Sequence, residues 1–283
     1  MSHIFCVTLC IFLIGLLLMS CGITTNFLES DMPKFTGHFA QTRSFPDQLL
    51  KVVTFNIAGA KKIDCAIAEM QKFKELQDAD ILFLQEMDET GTARIAEALC
   101  YNYVYYPIAI HRKFKQYFGN AILSKWPIQA EEKVILPHAN PKDQQRRIAV
   151  SATLRIGDEL VKVYSVHTET IWLSEMKRRE QVKTLVEHIA AQQKFAYIIV
   201  GGDFNTVWEK DVNANTLLFN IVHLDRASAG VGATASLFLQ LDHIYTKGLR
   251  VIENGKVKQS QASDHDPVWV LLETQSLFSQ KTP

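Results

Sequence analysis

Residues 197–206 read YIIVGGDFNT: an apolar run from Tyr197 to Val200, a glycine pair, then Asp203 and Asn205 on either side of Phe204. A short, β-branched apolar run bounded by turn-forming residues predicts a buried strand. Gly201 and Gly202 are read as the turn that ends it, which leaves Asp203 and Asn205 at its carboxyl end. Taken alone, an ordinary Asx-turn accounts for both polar residues. What decides the fold is that the arrangement recurs along the chain.

VVTFNIAG (52–59) delivers Asn56, ILFLQEMD (81–88) delivers Glu86, and VYSVHTE (163–169) delivers His167. QLDHIYTKGL (240–249) delivers Asp242, and QASDHDPVWV (261–270) delivers Asp264 and His265. Singly, these have ordinary readings: a turn amide, a helix-start acid, a core histidine, an edge-strand charge. Together they place carboxylates, amides and imidazoles at the ends of successive strands, which is the rim where α/β folds bind ligands.

Between these segments, strands and helices alternate. Strands are expected at 52–55, 81–84, 103–108, 120–123, 128–136, 148–156, 160–166, 197–200, 241–245, 249–253 and 268–272, with helices at 63–76, 92–99 and 174–193. Val182, Leu185, Val186, Ile189 and Ala190 give the longest helix one buried stripe. Two groups of strands flanked by helices predict an α/β sandwich in one domain.

The 283 residues are 47% hydrophobic, enough for a full core. Thirty basic residues balance thirty acidic ones, so any basic surface must be local. Ile4 to Met19 is almost wholly apolar, about 24 Å as a helix, which suits a signal-peptide core better than a bilayer span. It ends in Leu18-Met19-Ser20-Cys21, which resembles the lipobox of bacterial lipoproteins. Residues 1–21 are therefore expected to act as a signal with a lipobox-like end, 22–48 as a tether, 49–275 as the catalytic body and 276–283 as a tail. The protein is expected to be exported and held as a lipid-anchored monomer at the periplasmic or cell surface. Cys65 and Cys100, expected on apolar helix faces, are either a disulfide pair or buried free thiols.

From TFNI, LQE, GNAILS (119–124), VHTE, GGDFN, LDHIY and SDHDPV, in that order, residues 50–273 resemble the endonuclease/exonuclease/phosphatase superfamily. These are metal-dependent phosphohydrolases that include deoxyribonucleases, AP endonucleases and sphingomyelinases. The resemblance implies a four-layered sandwich of two mixed β-sheets between helices. It implies Glu86 as principal ligand of Mg²⁺ or Mn²⁺, with Asn56 and Asp264 in the metal shell; a donor set of oxygens without cysteine suits those hard cations. It also implies that Asp203 orients or deprotonates the attacking water, that Asn205 donates to the phosphate or holds the metal-bound network, and that His265 donates to a phosphate oxygen or acts in acid–base transfer with Asp242 fixing its tautomer. His167 would be a second imidazole on the phosphate. In the deoxyribonuclease branch that histidine has a glutamate partner, but Tyr101 to Gly119 holds no acid, so His167 has another partner or acts only as a donor. Asp266 is read as a solvated turn residue.

The expected activity is metal-dependent hydrolysis of a phosphodiester, endonuclease-like in first place. HRKFKQYF (111–118) interleaves basic and aromatic residues suited to a nucleic-acid backbone or a lipid headgroup. A phospholipase C- or sphingomyelinase-like activity, an inositol-phosphate phosphatase, and a non-catalytic surface lipoprotein are the alternatives.

Overall fold

The computed structural model describes residues 24–41, 49–113, 115–192, 194–236 and 239–273. Two mixed sheets form its middle layers. The first orders its strands β1 (Phe35–His38), β4 (Asn102–Ile110), β5 (Tyr117–Ser124), β3 (Ile81–Met87), β2 (Leu49–Asn56), β13 (Val268–Glu273) and β12 (Arg250–Lys256). The second runs β10 (Asp225–Arg226), β11 (Asp242–Lys247), β9 (Tyr197–Asp203), β8 (Glu159–His167), β7 (Ile148–Ile156) and β6 (Ile128–Ile135). Among the described strands, β2 with β3 and β8 with β9 are the pairs that run parallel.

Alternation of side chains builds the layers. In β3, Ile81 and Phe83 enter the core between the sheets, where they meet Val163 and Ile199 of the second sheet. Leu82 and Leu84 point the other way, under helices α1 (Ile63–Lys72) and α2 (Glu89–Ala98), against Ile63, Met70 and Ile95. On the opposite side, α3 (Glu175–Ala190) covers Tyr164, Val166 and Ile198 with Val182, Leu185 and Ile189. Helix α4 (Glu209–Asn220) contributes Phe219, stacked on Tyr245 at 4.2 Å. Strands buried on both faces read as continuous apolar runs, which is why the sequence shows little clean alternation. The four-layered sandwich is the expected one.

Several local expectations change. Helix α1 stops at Lys72 and not at Leu76, because Phe73 turns extended. The glycine pair does not end its strand: β9 continues through Gly201 and Gly202 to Asp203. The reason is close approach. A Cβ on Gly202 would sit 2.0 Å from the Val166 carbonyl oxygen, and one on Gly201 would sit 2.3 Å from the Phe83 ring.

Residues 24–41, expected within a tether, lie on the body. Phe35–His38 pairs antiparallel with β4, and Phe27 and Phe35 pack on Tyr117 at 5.6 and 5.5 Å. Lys133 Nζ donates to the carbonyls of Phe27 and Met32. Four residues of edge strand leave too short a period to read from sequence. Cys65 is half-buried, and Cys100 lies exposed in the turn after α2 rather than on a buried face; both thiols are free. Residues 1–23 and 274–283, with the signal-like run and the tail, lie outside the described residues, and no helix among the described residues is long and apolar enough to cross a membrane.

Candidate active site

Register gathers the predicted residues. In the second sheet His167 lies opposite Asp203, and Asp203 opposite Asp242, on three neighbouring strands. In the first sheet Asn56 ends β2 beside Gln85 of β3, and β13, next to β2, is preceded by the loop that carries Asp264 and His265. The cleft between these two three-strand rims is the site.

Asp203 is its centre. It is 2% exposed. Its Oδ2 accepts from Asn56 Nδ2 at 2.9 Å and lies 3.5 Å from His167 Nε2 and 3.9 Å from His265 Nε2. Its Oδ1 accepts from the Asn205 backbone N–H, the expected Asx-turn, and Asn205 Nδ2 donates to the Thr168 carbonyl. Burial raises the Asp203 carboxyl well above the usual range, partly offset by the charge of His265. A carboxylate so placed is a base suited to neutral pH.

His265 Nδ1 is 2.9 Å from Asp242 Oδ2, and that oxygen also accepts from Thr234 Oγ1. Burial would lower the His265 pKa, but the charge and hydrogen bond of Asp242, with Asp203 and Asp264, raise it overall. The imidazole is therefore held as a cation, with Nδ1–H on Asp242 and Nε2–H facing the cleft. Ligand atoms of Asp203, Asp242 and His265 lie within 4.8 Å of one another. Among the described residues this is the His/Asp group that could hold a metal ion, and within it Nδ1 of His265 is already shared with Asp242.

His167 has an unexpected partner. Its Nδ1 is 3.4 Å from Arg147 Nη1, and a guanidinium only donates. Nδ1 therefore accepts, and the proton sits on Nε2, aimed at Asp203 and at Glu86 Oε1, 4.0 Å away. Burial, then the charges of Arg147 and His265, push the His167 pKa far down, so it stays a neutral donor. Arg147 is in turn paired with the fully buried Glu169, whose Oε2 is 3.1 Å from its Nε. The absent acid in 101–119 is thus replaced by a cation, and His167 serves as a donor.

Glu86 stands where β3 bulges against β5, between Leu84 and Met87, with φ +56°. That left-handed backbone turns its carboxylate out of the sheet to the cleft mouth, where Asn56 Nδ2 reaches it at 3.4 Å. Asp264 is exposed at the same mouth. Its Oδ1 lies 3.4 Å from Ser263 Oγ, which donates to the Asn56 carbonyl. Asn56 thus touches Glu86 through its amide and, by way of Ser263, sits next to Asp264, and carboxylate and amide oxygens are the donor type that suits a hard divalent cation.

Sequence reasoning missed Arg147, Glu169 and Thr234. It also missed a buried polar floor, in which Thr54 Oγ1 meets Gln85 Oε1, Gln85 Nε2 donates to Ser165 Oγ, and Asn120 Nδ2 donates to the Ile148 and Ser165 carbonyls. QRRIAV before β7 and the glutamate two past His167 were the available signals.

A sequence model of the Endonuclease/Exonuclease/phosphatase family matches residues 53–265, from β2 through His265. The chain belongs to this family. Three solved structures share the fold. An endonuclease/exonuclease/phosphatase family protein from Leptotrichia buccalis C-1013-b is 20% identical, with 79% of this chain and 99% of that chain covered and a TM-score of 0.62. D. rerio TDP2, solved with a single-strand DNA product, is 15% identical, covering 81% and 100%, at TM-score 0.64. Sphingomyelinase C from Streptomyces griseocarneus is 17% identical, covering 78% and 98%, at TM-score 0.61. No curated protein matches the chain by sequence. Members of the family are metal-dependent phosphoesterases.

Proposed function

We propose that the chain hydrolyses a phosphodiester, using Mg²⁺ or Mn²⁺ and an activated water. The observation that carries this reading is the convergence on Asp203 Oδ2 of one amide, a neutral imidazole and a cationic imidazole, at 2.9, 3.5 and 3.9 Å. A cation bound by Glu86, Asp264 and Asn56 would neutralise phosphate charge. Asp203, oriented by Asn56 and the Asn205 amide, takes a proton from water. His167 Nε2–H and His265 Nε2–H donate to phosphoryl oxygens, where negative charge develops. His265, kept protonated by Asp242, is also placed to give its proton to a leaving oxygen. Asn205 ties the loop after Asp203 to Thr168 and so fixes the ends of β9 and β8 to one another.

Both nucleic-acid backbones and phospholipid headgroups present a phosphodiester, and structural relatives described with each share the fold. The 111–118 loop keeps Arg112, Lys113 and Lys115 exposed. Its described aromatics pack down: Tyr117 against Phe27 and Phe35, and Phe118 into the core beside Arg147. Tyr117 and Phe118 are thus engaged by the body, and the stacking part of the nuclease argument rests on Phe114, which lies outside the described residues. Export, with anchoring through a lipid on Cys21, completes the proposal. The test is a panel of bis-p-nitrophenyl phosphate, plasmid DNA, abasic duplex, sphingomyelin and inositol phosphates, each with Mg²⁺, Mn²⁺ or EDTA. Hydrolysis of a diester in metal, abolished by EDTA, is expected; activity on monoesters alone would replace this reading with a phosphatase.

A further inference from the structure

The strands that deliver His167 and Asp203 run on into two loops with unusual surfaces. Ile171, Trp172 and Met176 follow β8 and are 58%, 54% and 68% exposed; Trp208 follows β9 and is 62% exposed. The other two tryptophans, Trp126 and Trp269, are buried at 1% and 9%. Ion pairs join the helix starts that follow these loops: Lys210 of α4 to Glu175 of α3 at 2.6 Å and Arg178 of α3 to Asp211 of α4 at 3.2 Å. Together the loops make a platform that borders the cleft, because Thr168 and Asn205 link them directly. Lys142 lies over the Trp172 ring, and Lys177 and Lys210 are exposed beside it. Tryptophans, aliphatic side chains and lysines on one face are the composition of a bilayer interface.

The chain's own attachment points the same way. The described body begins at Thr24, whose N–H donates to the Asp143 carbonyl at 2.8 Å. Asn26 binds the next residues, donating to the Gln144 carbonyl and accepting from the Arg146 N–H. That loop carries Lys142 onto Trp172, and its Asn140 donates to Glu169. The apolar run Ile4–Met19 ends five residues before Thr24, a reach of about 17 Å at full extension. Whether a lipid on Cys21 or the run itself holds the chain, the anchor lies within that reach of Thr24, beside the 140–146 loop that joins the aromatic platform.

We infer that Ile171, Trp172, Met176 and Trp208 seat in a lipid bilayer, and that the cleft takes the phosphodiester of a phospholipid headgroup presented there. This rests on the phosphodiesterase reading for its chemistry and on the apolar run for its orientation. It needs no long aromatic hairpin; loops already fixed to the catalytic strands do the docking.

The full chain, reconstituted in phosphatidylcholine–phosphatidylglycerol vesicles with brominated acyl chains, tests the surface. Its two exposed tryptophans should lose at least half of their emission, and a Trp172→Phe/Trp208→Phe variant, left with Trp126 and Trp269, should show no bromine quenching. Wild-type emission unchanged by brominated lipid overturns the docking surface, including the case where the apolar run covers the platform itself. In a second arm, headgroup release from vesicles is divided by bis-p-nitrophenyl phosphate turnover. That ratio should fall at least tenfold in Trp172→Ala/Trp208→Ala. Cleavage of plasmid DNA with no headgroup release overturns the substrate assignment. Absence of any metal-dependent diester hydrolysis in the wild type would instead overturn the phosphodiesterase reading, while the quenching arm still decides the surface.

Discussion

Asp242→Asn isolates one charge in this site. Asp242 is 1% exposed, and its Oδ2 serves both His265 Nδ1 and Thr234 Oγ1. Asparagine is nearly isosteric and can keep an oxygen at that position, so the imidazole stays oriented while the negative charge is lost. Opposite charges about 4 Å apart attract by roughly 4 kcal/mol at an effective dielectric near 20. That is close to three decades in rate if the interaction is realised in full in the transition state. The nearby Asp203, 3.9 Å from the other ring nitrogen, retains part of the cation's stabilisation. A fall in kcat/KM of about 10²–10³ is therefore expected. The assay is bis-p-nitrophenyl phosphate hydrolysis in saturating Mg²⁺, with a thermal melt to show that the variant is folded. A loss of less than threefold in a folded variant would mean that His265 does not act as a cation, and the acid–base assignment would fall.

Other expectations are structural. Gly202→Ala drives a methyl group into the Val166 carbonyl, so β8 and β9 must part. Overpacking alone costs about 1–3 kcal/mol, and a thermal midpoint equal to wild type would contradict the register given for these strands. Arg147→Ala strands the fully buried Glu169, a loss of about 3–5 kcal/mol and on the order of 10 °C in thermal midpoint. Arg147→Met/Glu169→Gln should recover most of the stability but not the activity, because His167 loses the donor that fixes its tautomer; recovery of both would remove Arg147 from the positioning role. Asp264→Ala should cut turnover with little change in melting. Asp266→Ala should do the reverse, since Asp266 accepts from the Gln259 N–H and pairs with Lys256 at 3.2 Å. Equal loss of turnover in both would divide the motif differently.

Much of this site was legible because strand ends carry their chemistry in sequence. Asn56, Glu86, His167, Asp203, Asn205, Asp242, Asp264 and His265 each follow or precede an apolar run, and register alone brings them to one cleft. What could not be read depends on pairing across the sheets. Arg147 and Glu169 are separated by two strands and meet only through the β7–β8 hairpin. Gln85 looks like part of a motif, yet its role is to bond Ser165 of the opposite sheet. Asp266 looks solvated in sequence because its partners, Lys256 and Gln259, lie across a turn whose closure has no sequence signature. Glycine favours turns, so a glycine pair predicts one; the Phe83 ring that demands Gly201 is 118 residues away.

The most direct test of the central claim is metal-dependent hydrolysis of bis-p-nitrophenyl phosphate by wild type, Glu86→Ala and His265→Ala, measured in parallel. Each variant should lose at least 10²-fold in kcat/KM, and raising Mg²⁺ should relieve the defect of Glu86→Ala more than that of His265→Ala. Full activity in both folded variants would contradict the site described here.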